Sequence, residues 1–413
     1  MSAASVLRAY PAFTAYQVVR MAAVSGWQIQ SVAISWIVYA RTDSVRALGW
    51  IGLAQFLPML LLVIPGGVLA DRFERRMLLV IGHVCLALTS LLLGYAAKHP
   101  EIGMIPVYTA LAFLGSARAL TGPASQAMLP TLVPKEAFPR AVAAASVVLN
   151  VATLVGPALG GFLYGVFDRR GTVEHVFHIC AVLFAVSTLL LMFLPRGAAG
   201  LGRASIGLRA VADGARYVWS NKPVLGALSL DLFAVLLGGA VALLPVYTKK
   251  ILHAGPEELG FLRSASSLGA IAVAVWLTAF PLKRRAGPIM FGAVLVFGLA
   301  TVVFGVSTWV PLSVAALFIV GASDMVSVQI RHTLVQLHTP DEMRGRVSAV
   351  NMVFISASNE LGEFESGTLA GFIGPVAAVV FGGIGTCGVV LLWLYLFPTL
   401  RKMDAMDGDA SSH

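Results

Sequence analysis

The sequence predicts an all-α integral membrane protein with twelve transmembrane helices arranged as two pseudo-symmetric six-helix bundles. Three observations carry that prediction. The 413 residues are 58% hydrophobic and only 12% charged, against about 25% charged in a typical soluble domain. The apolar residues fall into runs of about 20, the length that spans a bilayer. The second half of the chain also repeats features of the first at a constant offset.

The apolar runs place spans at 13–40, 48–70, 77–97, 102–125, 141–167, 173–194, 224–247, 258–281, 287–307, 310–329, 347–372 and 376–397. Thr308-Trp309 forms nearly the whole turn between the ninth and tenth. The longest polar segment joins the sixth and seventh, and divides the chain into a bundle over 1–195, a linker over 196–222, a bundle over 223–399 and a tail over 400–413. Within the linker, Ile206, Leu208, Val211, Ala215 and Val218 alternate with Arg209, Asp213 and Arg216 at helical spacing. That pattern predicts a short amphipathic helix on the membrane surface.

The formal net charge is +9. The basic residues lie in short loops, with no basic stripe interleaved with aromatics, so nucleic acid is not an expected partner. Loops on the side of the N-terminus hold Arg72, Arg75 and Arg76, the linker residues Arg196, Arg203, Arg209, Arg216 and Lys222, and Lys283–Arg285, Arg331, Arg344 and Arg346. The other side is sparser, with Arg41, Arg46, Lys98, Arg169, Arg170, Lys249 and Lys250. This bias puts both termini in the cytoplasm and requires an even number of crossings. No cleavable signal peptide is apparent. Cys85, Cys180 and Cys387 all fall in apolar runs and form no CxxC pair, so neither a disulfide nor a metal site is expected.

Pro134-Lys-Glu-Ala-Phe-Pro-Arg140 is matched by Pro340-Asp-Glu-Met-Arg-Gly-Arg346, an offset of 206 residues. The same offset pairs Gly115 with Gly321, Gly156 with Gly362, and Gly161 with Gly367. Two related six-helix halves are a transporter arrangement in which the substrate site lies near the bilayer midplane.

Several segments resemble the major facilitator superfamily. Gly66-Gly67-Val-Leu-Ala-Asp71-Arg72-Phe-Glu74-Arg75-Arg76 is similar to its loop motif between helices 2 and 3, with Glu74 where a glycine often stands. Ala152-Thr-Leu-Val-Gly156-Pro157-Ala-Leu-Gly160-Gly161 is similar to the antiporter motif of proton-coupled exporters, with Ala152 replacing its first glycine. Thr333–Val347, Pro11-Ala-Phe13 and Gly260-Phe261-Leu262 resemble the branch that holds siderophore exporters and macrolide efflux pumps. The resemblance implies a gating role for Gly67, Asp71, Arg72, Arg75 and Arg76. It implies a seal against proton leak for Gly156, Pro157, Gly160 and Gly161, which also offer a small-residue face for close helix packing.

Ionisable residues inside spans are costly unless they face a partner or a wet cavity. Arg20, Arg118, Asp231, Asp324, Glu360, Glu363 and Glu365 are therefore the candidates for proton coupling or substrate binding. The offset of 206 makes Arg118 and Asp324 equivalent positions, and the superfamily's cavity helices 1, 4, 7 and 10 suggest that both line it. Glu360 and Glu363 share a helix face and Glu365 points elsewhere.

The expected activity is export of a small amphipathic molecule, siderophore or drug, by a proton-coupled, non-enzymatic transporter of the bacterial inner membrane. The expected partners are that small molecule, protons and the lipid bilayer, with the chain acting as a monomer and without a cofactor. An importer or a lipid flippase on the same fold is the alternative, and a non-transporting membrane sensor a further one. No Walker-type GxxxxGK[ST] run and no HExxH or Ser/His/Asp grouping points to ATP coupling or an enzyme.

Overall fold

In the bilayer every backbone N–H and C=O must be satisfied internally, which leaves helices as the means of crossing for such runs. The computed structural model describes residues 3–195, 208–282 and 284–403. A short helix, Ala3–Ala9, leads into long helices. These are α1 (Pro11–Thr42), α2 (Val45–Arg72), α3 (Arg75–Lys98), α4 (Ile105–Met128), α5 (Phe138–Asp168) and α6 (Glu174–Phe193), then α7 (Lys222–Leu237), α8 (Pro256–Ala279), α9 (Ala286–Val306), α10 (Val310–Leu337), α11 (Asp341–Ile373) and α12 (Pro375–Leu396).

Among the described residues, ten helical stretches are long and apolar enough to cross a membrane. Neither α4 nor α11 is among them: α4 carries Arg118 among small residues, and α11 carries Glu360, Glu363 and Glu365. Several helices begin with proline in the first turn, as at α4, α5, α7, α10 and α12, where its missing N–H costs no hydrogen bond. The helices outrun the predicted spans at many ends. The largest difference is at α10, which continues to Leu337 rather than ending near Gln329.

The seventh span is not one uninterrupted helix as the apolar run suggested. α7 stops at Leu237, and the chain continues through a 3-10 turn at Ala240–Leu243 and a π turn at Tyr247–Ile251. Gly238-Gly239 is a poor helix interior. Gly239 also lies so close to α11 that a β-carbon there would stand 2.7 Å from the Gly362 carbonyl oxygen. At the other extreme, α11 and α12 are joined by Gly374 alone, at φ 89°. A left-handed residue reverses the chain in that one step, a conformation glycine adopts freely.

The chain forms two compact units. One holds α1, α3 to α6, α2 from Ala54 onward and α8 up to Ser264; the other holds the first turns of α2, the rest of α8, α7 and α9 to α12. In the first, α1 packs on α5 and α6, and α3 on α4 and α6. In the second, α7 packs on α11 and α12, and α9 on α10 and α12. The same neighbours recur six helices later, as the sequence repeat requires.

A helix is present at Leu208–Ser220, and protein covers the apolar side of its second half. Val218 is 1% exposed and packs with Val224, Leu228, Val335, Val347 and Val350. Tyr217 Oη donates to the His338 carbonyl, and Arg346 Nη1 donates to Asp213 Oδ2 at 3.2 Å. The second half of this helix is thus a strut against α7, α10 and α11. The predicted helix's Ile206, together with Arg196 and Arg203, lies outside the described residues, as do Lys283 and most of the 400–413 tail. Val218→Asp is expected to detach the strut, since an unpaired carboxylate buried there is strongly unfavourable. Limited proteolysis should then cut within 208–220 faster than in the parent chain.

Candidate functional site

In the loop motif, Arg75 and Arg76 are clamps on helix ends. Arg75 Nη1 donates to the Ala127 carbonyl at 2.7 Å, in the last turn of α4. Arg76 Nη1 donates to the Met192 and Leu194 carbonyls at 3.1 and 2.8 Å, at the end of α6. Helix C-termini leave carbonyls unsatisfied and carry partial negative charge, so guanidinium groups fit them. Glu74, the departure from the motif, pairs with Arg76 Nε at 3.3 Å. Gly67, Asp71 and Arg72 lie in the last turns of α2.

On α5, Gly156, Pro157, Gly160 and Gly161 are all buried. A β-carbon at Gly160 would stand 2.9 Å from Ile29 Cα of α1, and one at Gly156 would stand 2.5 Å from the Gln28 side chain. Gly161 meets the first turns of α8. A β-carbon there would overlap the Pro256 carbonyl oxygen and approach Gly260 Cα to 2.9 Å. One turn on, the Glu257 carboxylate occupies the notch left by Gly165 and accepts from Arg169 Nη1.

The repeat builds a second contact of the same plan. Gly367 of α11 meets Gly49 in the first turns of α2, 2.6 Å from Cα to the position of a β-carbon. Arg46 lies in the notch at Gly371, its Cγ 2.5 Å from that position, with its guanidinium 4.4 Å over the Phe372 ring. Gly161 and Gly165 correspond to Gly367 and Gly371 at the offset of 206, while Glu257 and Arg46 occupy the equivalent notches with opposite charge. Neither notch residue was singled out from the sequence, because each pairing depends on contacts between distant helices.

The intramembrane charges separate into distinct settings. Arg20 is half-buried and donates to Gln17 Oε1 at 3.5 Å. Arg118 lies 4.8 Å over the Trp27 ring of α1, a cation–π contact. On α11, Glu360 is buried, Glu363 lies against Gly52, and Glu365 Oε2 accepts from Ser366 Oγ at 3.3 Å. Asp231 of α7 is 6% exposed and forms an ion pair with Arg331.

Arg331 is the residue that sequence reasoning misplaced. It was assigned to the loop after the tenth span, but α10 encloses it, 3% exposed. The available signal was spacing: Asp324, Ser327 and Arg331 follow at intervals of three and four, one face of a helix. That face borders a small cavity lined by Asp231 of α7, Val294 and Phe297 of α9, and Ser323, Asp324 and Ser327 of α10. Two carboxylates, two hydroxyls and one guanidinium thus converge inside the second unit. Among the described residues no group of three or more His, Cys, Asp or Glu is arranged to hold a metal ion.

Known proteins resemble this chain along nearly its whole length. The family of transmembrane secretion effectors matches residues 2–413. An enterobactin exporter of Citrobacter koseri is 26% identical over 402 residues, 96% of this chain and 94% of the relative. One of Shigella boydii is 25% identical over the same shares. Among solved structures, a mutant form of the peptide transporter POT has a TM-score of 0.75 at 13% identity, covering 95% of each chain. A bacterial homologue of the iron transporter ferroportin, in an inward-facing state, has a TM-score of 0.71 at 14% identity, covering 95% of this chain and 99% of that one. The structural likenesses establish a shared fold.

Proposed function

Since the chain belongs to the transmembrane secretion effector family of the major facilitator superfamily, a family of transporters and not enzymes, we propose that it is a proton-coupled exporter of a small amphipathic molecule. The cargo class is siderophore-like or drug-like, moved by alternating access. In this reading α4 and α11 cross the bacterial inner membrane with the other ten, both termini are cytoplasmic, and the transporter works as a monomer. The full-length similarity to enterobactin exporters supports the direction and the cargo class.

The observation that carries the coupling is the set of ionisable side chains within the helices, above all the carboxylates on α7, α10 and α11. Each charge at membrane depth costs at least about 2.5 kcal/mol on insertion scales. Such groups persist where they bind an ion, a proton or a cargo charge. Asp231 and Asp324 face a cavity, and Glu360, Glu363 and Glu365 cluster on two turns of α11. In this reading Arg75 and Arg76 steady the cytoplasmic helix ends, and Gly161 and Gly367 hold the opposite ends closed until cargo is released.

The test is accumulation in inside-out proteoliposomes under an imposed proton gradient, using iron-free enterobactin, a macrolide and a lipophilic dye. Gradient-dependent uptake of one compound, abolished by a protonophore, is expected. Movement that ignores the gradient, or none from folded protein, contradicts the proposal.

A further inference from the structure

The cavity between α7, α9 and α10 would hold an unbalanced charge if both of its carboxyls were ionised. Asp231 is committed to Arg331, so a second ionised carboxylate at Asp324 leaves the group one negative charge in excess. An uncompensated charge away from water is strongly unfavourable. A single proton on Asp324 removes it.

The surroundings fit both states of that carboxyl. Ser327 lines the same cavity, is 2% exposed, and its hydroxyl has no hydrogen-bond partner. It stands one turn from Asp324 on the same face of α10. A hydroxyl can donate to an ionised carboxylate and accept from a protonated one. The Arg331 Nε is likewise buried and unpartnered, so the cluster keeps polar capacity in reserve.

Among the described residues, the neighbouring helices line the cavity with no further charge. Apart from Asp231 and Asp324, the residues that line it are uncharged. α9 carries no ionisable side chain and contributes Val294 and Phe297. α12 presents Thr386, which donates to the Ala234 carbonyl at 3.1 Å. α11 approaches α7 through Gly362, at the carbonyls of Val235 and Leu236, while its Glu363 lies against Gly52. α8 meets α10 through Ser266 at Gly321. His332, next to Arg331, is exposed.

From this geometry we infer that Asp324, beside the Asp231–Arg331 ion pair, is the proton carrier, and that one proton moves per transport cycle. The inference rests on the proposed proton coupling and names its site. The proton joins an Asp324 carboxylate oxygen from water on one side of the membrane. It leaves to water on the other side once the site has changed access. Asp231 and Arg331 stay ionised throughout and are positioning residues.

Two measurements test this with Asp324→Asn, Asp324→Glu and, as a control in the exposed loop between α4 and α5, Glu136→Gln. In the vesicle assay with the same three compounds, Asp324→Asn should lose gradient-driven accumulation yet retain gradient-independent counterflow. Glu136→Gln should retain both. Independently of cargo, pH-difference infrared spectra of the purified protein should show a titrating protonated-carboxyl band. That band should be absent in Asp324→Asn and present in Glu136→Gln. Gradient-driven accumulation that survives Asp324→Asn, or an infrared band that survives it, overturns the assignment. If Asp324→Asn yields no folded protein, Asp324→Glu decides the matter: a shifted band midpoint supports the assignment and an unchanged one overturns it. If the parent protein moves none of the compounds but loses its band in Asp324→Asn, the exporter reading fails and the proton site stands.

Discussion

Arg331→Ala is expected to lower the unfolding free energy by about 3–5 kcal/mol, because it leaves a buried carboxylate without its partner. The effect should exceed that of Asp231→Ala. Removing Arg331 leaves both Asp231 and Asp324 in the cavity with no cation. Removing Asp231 leaves Asp324 available to balance the guanidinium. The double substitution Asp231→Asn with Arg331→Gln removes both charges and should recover much of the lost stability, since a neutral pair avoids the uncompensated ion. Thermal unfolding of purified protein in detergent, with the yield of membrane-inserted chain, checks all three. Parent-like stability in Arg331→Ala would mean that the ion pair does not hold α7 to α10.

Gly161→Leu should have the second large effect, on transport more than on folding. No side chain fits between α5 and the first turns of α8 while the Pro256 carbonyl and Gly260 stay where they are. Overpacking of this kind costs about 1–3 kcal/mol, which shifts a two-state equilibrium by roughly 5- to 150-fold. If this contact exists only while that end of the transporter is closed, the variant favours the open arrangement. Backbone amides around 256–260 should then exchange with deuterium faster than in the parent, and net transport should fall. Gly367→Leu should act in the same direction through Gly49 of α2. Unchanged exchange in both variants would remove these glycines from the gating scheme.

The fold was legible because the bilayer leaves so few options. Apolar runs of about 20 residues become helices, and the turn at Thr308-Trp309 lies between α9 and α10 as read. The register of 206 residues, seen first in glycines, reappears as paired helix contacts at Gly161 and Gly367. What escaped the sequence was of two physical kinds. Helix ends that leave the apolar core keep their backbone hydrogen bonds, so hydropathy cut α10 short and placed Arg331 in a loop. Long-range partners were also invisible: nothing local tells Glu257 that it will meet Gly165, or Val218 that α7 and α10 will cover it. The break after Leu237 was readable in principle from Gly238-Gly239, but their apolar neighbours concealed it.

The most direct test of proton-coupled export follows the protons themselves. Inside-out proteoliposomes with an acidic lumen and an entrapped pH-sensitive dye would receive whichever compound accumulates. Antiport predicts that the lumen becomes more alkaline on addition of the compound, in step with its uptake, and that Asp324→Asn abolishes the signal. A lumen that acidifies, or holds its pH while the compound accumulates, would contradict proton-driven export.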